Sequence, residues 1–274
     1  MKSETINVIQ YNKSMKDIYN DQVEGSLDEH RRSKFGVFIS ALSAGLEVGF
    51  SVYCIVMVIS LFTDILHPNT LHVLKSLAYS VGFLFVTLSR SELFTEQTAL
   101  SVLPVLNKKA TLKSLGKLWS AVFSGNMVGG LLFSIFILQL NTSLSFIDTA
   151  VFEKIALGII SYPSFDLFLS AITAGWLMAL LSWMSTACST TSSRIFIVIL
   201  VTFIIGFGNL HHSILGAVEV MLGLMTSETI TLSEALRFQF WVTTGNAVGG
   251  VFFVAVLKSS FMKFSKKAKK TTPA

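Results

Sequence analysis

The chain has 274 residues, of which 52% are hydrophobic and 14% charged, with 23 phenylalanines and a formal net charge of +5. Such a composition excludes an ordinary soluble domain of this length. A charge of +5 would invite a nucleic-acid reading in a soluble protein, but the basic residues here gather beside particular loops, so no nucleic-acid partner is expected.

In chain order, residues 1–35 are polar and charged, lack a signal-peptide pattern, and read as a cytoplasmic segment. Ser26-Leu27-Asp28-Glu29 fits a capping box, so a helix is expected to lead into the membrane region. Six spans follow at 36–62, 73–101, 115–139, 165–188, 194–222 and 238–258, each near the roughly 20 apolar residues that a bilayer crossing needs. The first holds Glu47, read either as a proton-linked group or as half of a structural ion pair. The second is interrupted by Ser89-Arg90-Ser91-Glu92-Leu93-Phe94-Thr95-Glu96-Gln97, whose charges, with Glu47, are expected to form an ion network at the cytoplasmic mouth. The third contains Gly125-Asn126-Met127-Val128-Gly129-Gly130.

Residues 140–164 form an external loop with a short surface helix. The fifth span is weakened by Gly206-Phe207-Gly208-Asn209-Leu210-His211-His212-Ser213, and the sixth contains Gly245-Asn246-Ala247-Val248-Gly249-Gly250. Residues 259–274 are a basic cytoplasmic tail. Cys54 and Cys188 lie in spans without metal-ligand spacing and read as packing residues; neither a metal nor a cofactor is expected.

Lysine and arginine favour the loops on one side, which by the positive-inside rule puts both termini in the cytoplasm. The repeated Gly-Asn-x-x-Gly-Gly string divides the chain into two three-helix repeats, 36–139 and 165–258. A repeat unit with an odd number of crossings must return inverted, which places a path at the pseudo-twofold axis between helices broken partway across, the second and the fifth. Asn126 and Asn246 then read as structural support for the breaks rather than as substrate contacts, and the glycines around them as close-packing positions. Of the two adjacent histidines only one is expected in the lumen, because neighbouring helical positions diverge by about 100°. The residues alone leave two readings of His212: a ring satisfied by backbone at a helix break, or an intramembrane titratable group with a function.

The twin Gly-Asn strings, the Ser91-Glu92-Leu93-Phe94-Thr95 string and the His212-Ser213-Ile214 string together resemble the formate/nitrite transporter family over about residues 30–260. The resemblance implies an all-α membrane protein, a homopentamer with an aquaporin-like protomer, and a pore through each subunit of a bacterial inner membrane. It makes His212 the central pore histidine, Thr95 the threonine of the interrupting loop, and Tyr79, Phe83 and Ile205 the apolar constrictions. The chain departs from the family at Gly175, where an asparagine partner of the histidine is expected, and at Arg90, Glu96, Ser170 and Lys154. These departures resemble the divergent YfdC-like branch, whose substrate the resemblance does not fix.

A bare anion in an apolar constriction costs several kcal/mol to desolvate, and a small acid carrying its proton escapes that cost. Histidine ordinarily titrates near pH 6.5, so His212 could pass a proton to the anion or balance its charge. The expected function is a channel or proton-coupled transporter for small monovalent anions or their neutral acids. A path for another small solute and a non-transporting structural or sensory role stay open. The chain has no His-Glu-x-x-His or Gly-x-Ser-Gly string, so an enzyme is not expected.

Overall fold

The structure, a computed structural model, describes residues 13–145 and 147–262, so the tail from Lys263 onward lies outside the described residues. Among these residues every regular element is helical. Helix α1 (Met15–Arg31) begins at Ser14, whose hydroxyl accepts the Asp17 N–H while the Asp17 carboxylate accepts the Ser14 N–H. The capping box expected at Ser26 is thus displaced: Ser26 is buried inside α1, and Ser14 with Asp17 supplies the same reciprocal chemistry upstream.

Two helix pairs make the most extensive contacts. Helix α2 (Lys34–Phe62) lies along the long helix Leu112–Leu144, and Ser164–Ala187 lies along Leu232–Gly250. Between α2 and Leu112–Leu144 come α3 (Pro68–Ala78), α4 (Ser80–Ser89), α5 (Phe94–Leu100) and α6 (Val102–Leu106), which makes Leu112–Leu144 helix α7. Then follow α8 (Ala150–Ile160), α9 (Ser164–Ala187), α10 (Thr191–Phe207), α11 (Ser213–Thr226) and α12 (Leu232–Gly250), the last continuing through a π-helical stretch, Val251–Val256, to Met262.

Glycine is what lets the two pairs close. A Cβ on Gly125 of α7 would stand 2.6 Å from the Phe38 carbonyl and 2.7 Å from the Ala41 Cβ of α2. One on Gly245 of α12 would stand 2.6 Å from both the Phe168 carbonyl and the Ala171 Cβ of α9. One turn on, Gly129 meets the Leu42 carbonyl and Gly249 the Ile172 carbonyl. In the other direction Gly45 of α2 faces the Asn126 carbonyl, and Gly175 of α9 faces the Asn246 carbonyl. Small-residue faces of this kind bring backbones together where lipid offers no hydrophobic drive.

This overturns the expectation for Gly175. The position is the α9 counterpart of Gly45, pressed on the backbone of Asn246, and it does not line the cavity that holds His212. An asparagine cannot be restored there without pushing α9 and α12 apart.

Among the described residues, five helices are long and apolar enough to cross a membrane: Lys34–Phe62, Pro68–Ser89, Leu112–Leu144, Ser164–Ala187 and Leu232–Met262. The expected second span stops at Ser89, and the expected fifth is two shorter apolar helices, Thr191–Phe207 and Ser213–Thr226. Arg90 (φ 60°) and Asn209 (φ 48°) adopt left-handed backbone at those ends, a conformation that breaks the hydrogen-bond ladder and that few residues other than glycine and asparagine take readily. Helix α8, expected at the surface of the external loop, buries Phe152, Ile155, Ala156 and Ile160 and packs against α11, where Gly223 admits Ala156.

Gly175→Ala is expected to destabilise the protein by about 1–3 kcal/mol through overpacking, and Gly175→Asn by more. The Tm of the purified protein in detergent measures both, and an unchanged Tm would contradict the close approach of α9 and α12.

Candidate functional site

Two backbone segments interrupt the apolar helices, residues 90–93 before α5 and residues 208–212 before α11. A peptide group removed from both water and a helix must find another partner. The partner is the same in both places. The Asn126 Oδ1 accepts the N–H of Phe94, the first residue of α5, at 2.8 Å, and its Nδ2 donates to the carbonyls of Glu92 (2.9 Å) and Ala41 (2.7 Å). The Asn246 Oδ1 accepts the N–H of Ser213, the first residue of α11, at 2.8 Å, and its Nδ2 donates to the carbonyls of His211 (3.0 Å) and Ala171 (2.8 Å). Both amides are fully buried.

These two stations bring Thr95 and His212 together. Each residue sits beside the first residue of its short helix, and Thr95 Oγ1 lies 2.8 Å from His212 Nε2. His212 is also the N-cap of α11, its Nδ1 accepting the Leu215 N–H at 3.2 Å. A ring nitrogen that accepts a backbone N–H carries no proton, so the neutral ring bears its proton on Nε2 and donates it to the Thr95 hydroxyl. Phe83 stands edge-on to the imidazole at 5.1 Å between ring centroids, and Tyr79 stacks on Phe83 at 5.4 Å. Ser51 braces this aromatic pair by donating to the Tyr79 carbonyl (2.6 Å) and accepting the Gly82 N–H (2.8 Å).

Cavities open at either end of this cluster. The larger, about 450 Å³, is lined by Tyr79, Ile205, His211 and His212 among others, with Lys75 and Lys154 at its wall. The smaller, about 240 Å³, is lined by Val86, Thr87, Arg90, Glu92, Glu96 and Arg194. Along α4, Tyr79 faces the first cavity, and Val86 and Thr87 face the second. Phe83 lies between them, over a rise of about 12 Å for eight helical residues. The buried Tyr79 hydroxyl has no hydrogen-bond partner among the described residues.

Other expected site residues are arranged differently from the sequence reading. The cation paired with Glu92 is Arg32, at the end of α1, whose Nη1 also reaches Glu29 (3.0 and 2.7 Å). Gln97 donates to the other Glu92 oxygen. Arg90 is exposed at the left-handed turn and makes no ion pair among the described residues. Glu47 is held by three serine hydroxyls, Ser43, Ser89 and Ser91, at 2.9–3.0 Å, and forms no ion pair among the described residues. Glu96 lines the smaller cavity without an ion pair among the described residues. The expected four-residue network is therefore not formed among the described residues: Glu47 and Glu92 sit in separate clusters, the latter because α1 folds back to supply the arginine, and Arg90 and Glu96 join neither.

His211 is a further correction. Both imidazoles line the larger cavity, since residues 208–212 are not helical and the 100° rule of a helix does not govern them. The Ser170 hydroxyl, on α9, lies 2.8 Å from the His211 Nδ1 and accepts the His211 backbone N–H at 3.1 Å, while Tyr162 stands edge-on to the His211 ring. Some cavity residues escaped the sequence reading, among them a carboxylate. Glu219 of α11 is buried and lines the larger cavity; its signal was a lone carboxylate in an otherwise apolar run.

Residues 16–260 match the sequence model of the formate/nitrite transporter family. The inner membrane protein YfdC of Escherichia coli K12 is 29% identical over 252 residues, covering 90% of this chain and 78% of that protein. The nitrite transporter NirC of Salmonella typhimurium is 26% identical over 246 residues, 87% of each chain. Among solved structures, an FNT family ion channel superposes with a TM-score of 0.78 at 21% identity, covering 90% of this chain and 99% of that one. A pentameric formate channel with formate bound superposes with a TM-score of 0.70 at 18% identity, covering 85% and 97%.

Replacing Asn126 or Asn246 by alanine strands a buried N–H and a carbonyl in each station, and is expected to cost about 1–3 kcal/mol per unsatisfied group. Thermal unfolding in detergent should show both variants less stable than the parent. Asn126→Asp, which keeps the acceptor but turns an oxygen toward two carbonyls, should do no better, and a fully stable alanine variant would contradict the bracket.

Proposed function

This chain belongs to the formate/nitrite transporter family, and from that premise we propose that it is a transmembrane channel or proton-coupled transporter for small monovalent anions or their neutral acids, with His212 at the centre of the pore. The reading takes the chain as two inverted three-helix repeats, 36–139 and 165–258, in an aquaporin-like protomer. Residues 90–93 and 208–212 are then the breaks in the second and fifth spans. The support for duplication is the pair of asparagine stations, in which three hydrogen bonds recur atom for atom. Inverted repeats put a path at their mutual axis, and Thr95 and His212 are the side chains that meet across it.

In this reading both termini are cytoplasmic, the smaller cavity is the cytoplasmic mouth, and the larger opens to the other side. The protein sits in a bacterial inner membrane as a homopentamer, and its role is transport rather than enzymatic chemistry. The assembly follows the pentameric formate channel that shares its fold, and the substrate class follows the NirC relatives named as nitrite transporters.

The single observation that carries the function is the Thr95–His212 hydrogen bond, sealed by Phe83 between two largely apolar cavities that each carry a few charged side chains. A small anion reaching this seal exchanges water for aromatic edges, the Tyr79 hydroxyl and the Thr95 hydroxyl. The Thr95 oxygen accepts from the ring, so its own proton can point to the cargo. That neutral donor can orient an acid oxygen but cannot offset a full charge buried among Tyr79, Phe83 and Ile205, which favours passage as the neutral acid.

Protein reconstituted in liposomes should move formate, nitrite or hydrosulfide, and His212→Ala should change that flux or its pH dependence while leaving the oligomer assembled. Thr95→Val, nearly the same shape without the hydroxyl, should likewise lower flux by about tenfold, corresponding to about 1.4 kcal/mol. Unchanged transport at every pH in both variants would remove the pair from the mechanism.

A further inference from the structure

The larger cavity holds a group that neither the duplication nor the pore histidine accounts for. Glu219 lies in the seventh position of α11, is 9% exposed, and faces the cavity. Its carboxylate makes no hydrogen bond and no ion pair with any described residue. A negative carboxylate so enclosed is costly, and a proton removes the cost. Around it stand His72, Lys75 and Tyr79 from α3 and its junction with α4, Lys154 from α8, Tyr162 beyond that helix, and His211 and His212 from the segment before α11. Helices α2 and α12 add apolar side chains, Ile55, Ile59 and Phe238.

The internal repeat gives this position a counterpart. Phe94 and Ser213 are equivalent because each gives its N–H to a station asparagine. Glu96 and Leu100 of α5 then correspond to Leu215 and Glu219 of α11. All four are cavity residues, the first two in the smaller chamber and the last two in the larger. Each short helix thus turns one acid into its own chamber on the same face, one turn apart in register. His212 cannot readily serve instead, because one ring nitrogen holds the Leu215 N–H and the other is spent on Thr95.

We propose that Glu219 is the proton-exchange residue of the larger chamber, giving a proton to a weak-acid anion there before the neutral acid passes Phe83. This rests on the pore reading above. The anion enters beside Lys75 and Lys154; the O–H bond of the Glu219 carboxyl breaks, and its proton forms a bond to an oxygen of the anion. Glu219 is left as a carboxylate across from Lys75, and the neutral acid moves on. Hydronium from the open side of the chamber then returns a proton to Glu219. The net movement is one proton with one anion, and it carries no charge.

The test is proteoliposome flux of formate and nitrite, with a pH-sensitive dye inside the vesicles, for the parent, Glu219→Gln, Glu219→Asp and His212→Ala. Glu219→Gln should lower flux at neutral and alkaline pH by about 10²-fold, the scale of a lost general acid. It should recover in acid, where the cargo is already protonated in solution, and Glu219→Asp should keep proton-linked uptake. The infrared carboxyl band of the parent should contain a component that is missing from Glu219→Gln and that titrates over the pH range in which parental flux changes, a signature that a purely structural role would not produce. Parental flux and pH profile in Glu219→Gln, with His212→Ala impaired, would overturn this proposal and leave the pore reading intact. A parent protein that moves neither acid would bring down both. If Glu219→Gln fails to assemble, loss of proton-linked uptake in a folded Glu219→Asp, or absence of a carboxyl component that titrates in that range in the parent, overturns it.

Discussion

The constraint on which this structure depends is the satisfaction of backbone peptide groups in two non-helical segments enclosed by apolar helices. At such a place neither water nor an i→i+4 neighbour is at hand, and an unmet N–H or C=O costs more than most side-chain contacts return. One asparagine per segment resolves this. Its amide has an acceptor and two donor hydrogens, matching one N–H and two carbonyls. Aspartate lacks the donors and glutamine adds a methylene to place. The asparagine must also come close to the segment it serves, and the neighbouring glycines, Gly125 and Gly129 or Gly245 and Gly249, let α7 and α12 approach α2 and α9 closely enough. The Gly-Asn-x-x-Gly-Gly string is therefore one device, an amide together with the clearance that delivers it.

That coupling explains what the sequence made legible. A string whose polar and small residues act together survives as a visible pattern in both halves, so the support role of Asn126 and Asn246 and the packing role of their glycines were readable without coordinates. The long apolar helices were readable for the simpler reason of length. What escaped depends on contacts between distant segments. Nothing local says that Arg32 rather than Arg90 pairs with Glu92, since the pairing follows from α1 returning to the mouth of the smaller cavity. Gly175 was misplaced because counting along α9 from a tryptophan ignores which face the helix turns to α12. His211 was placed by a helical rule where the chain is not helical.

Charge in the two chambers has a common arrangement. Each pairs an acid on its short helix with two cationic side chains of the wall: Glu96 with Arg90 and Arg194, Glu219 with Lys75 and Lys154. None of these acid–base combinations forms an ion pair among the described residues. Closed ion pairs would neutralise each other and leave little field for a third charge. Held apart across a cavity, the cations can draw an anion while the acid answers it within the same space.

The position of the imidazole completes this division of labour. As N-cap of α11, His212 spends Nδ1 on the Leu215 N–H, a bond that fixes where the ring points; its second nitrogen then reaches across to Thr95 on α5. Protonation at Nδ1 would set an N–H against an N–H and release the cap, loosening the helix that carries Glu219. A ring with both nitrogens occupied is suited to holding two short helices in register and presenting a hydroxyl to the cargo. A carboxyl with no hydrogen bond or ion pair among the described residues, seven residues after His212, is suited to taking and giving a proton without disturbing that alignment. In the proposed mechanism, alignment of the short helices and proton exchange would thus fall to His212 and Glu219, at the cap and in the body of α11, and each could act without undoing the geometry of the other.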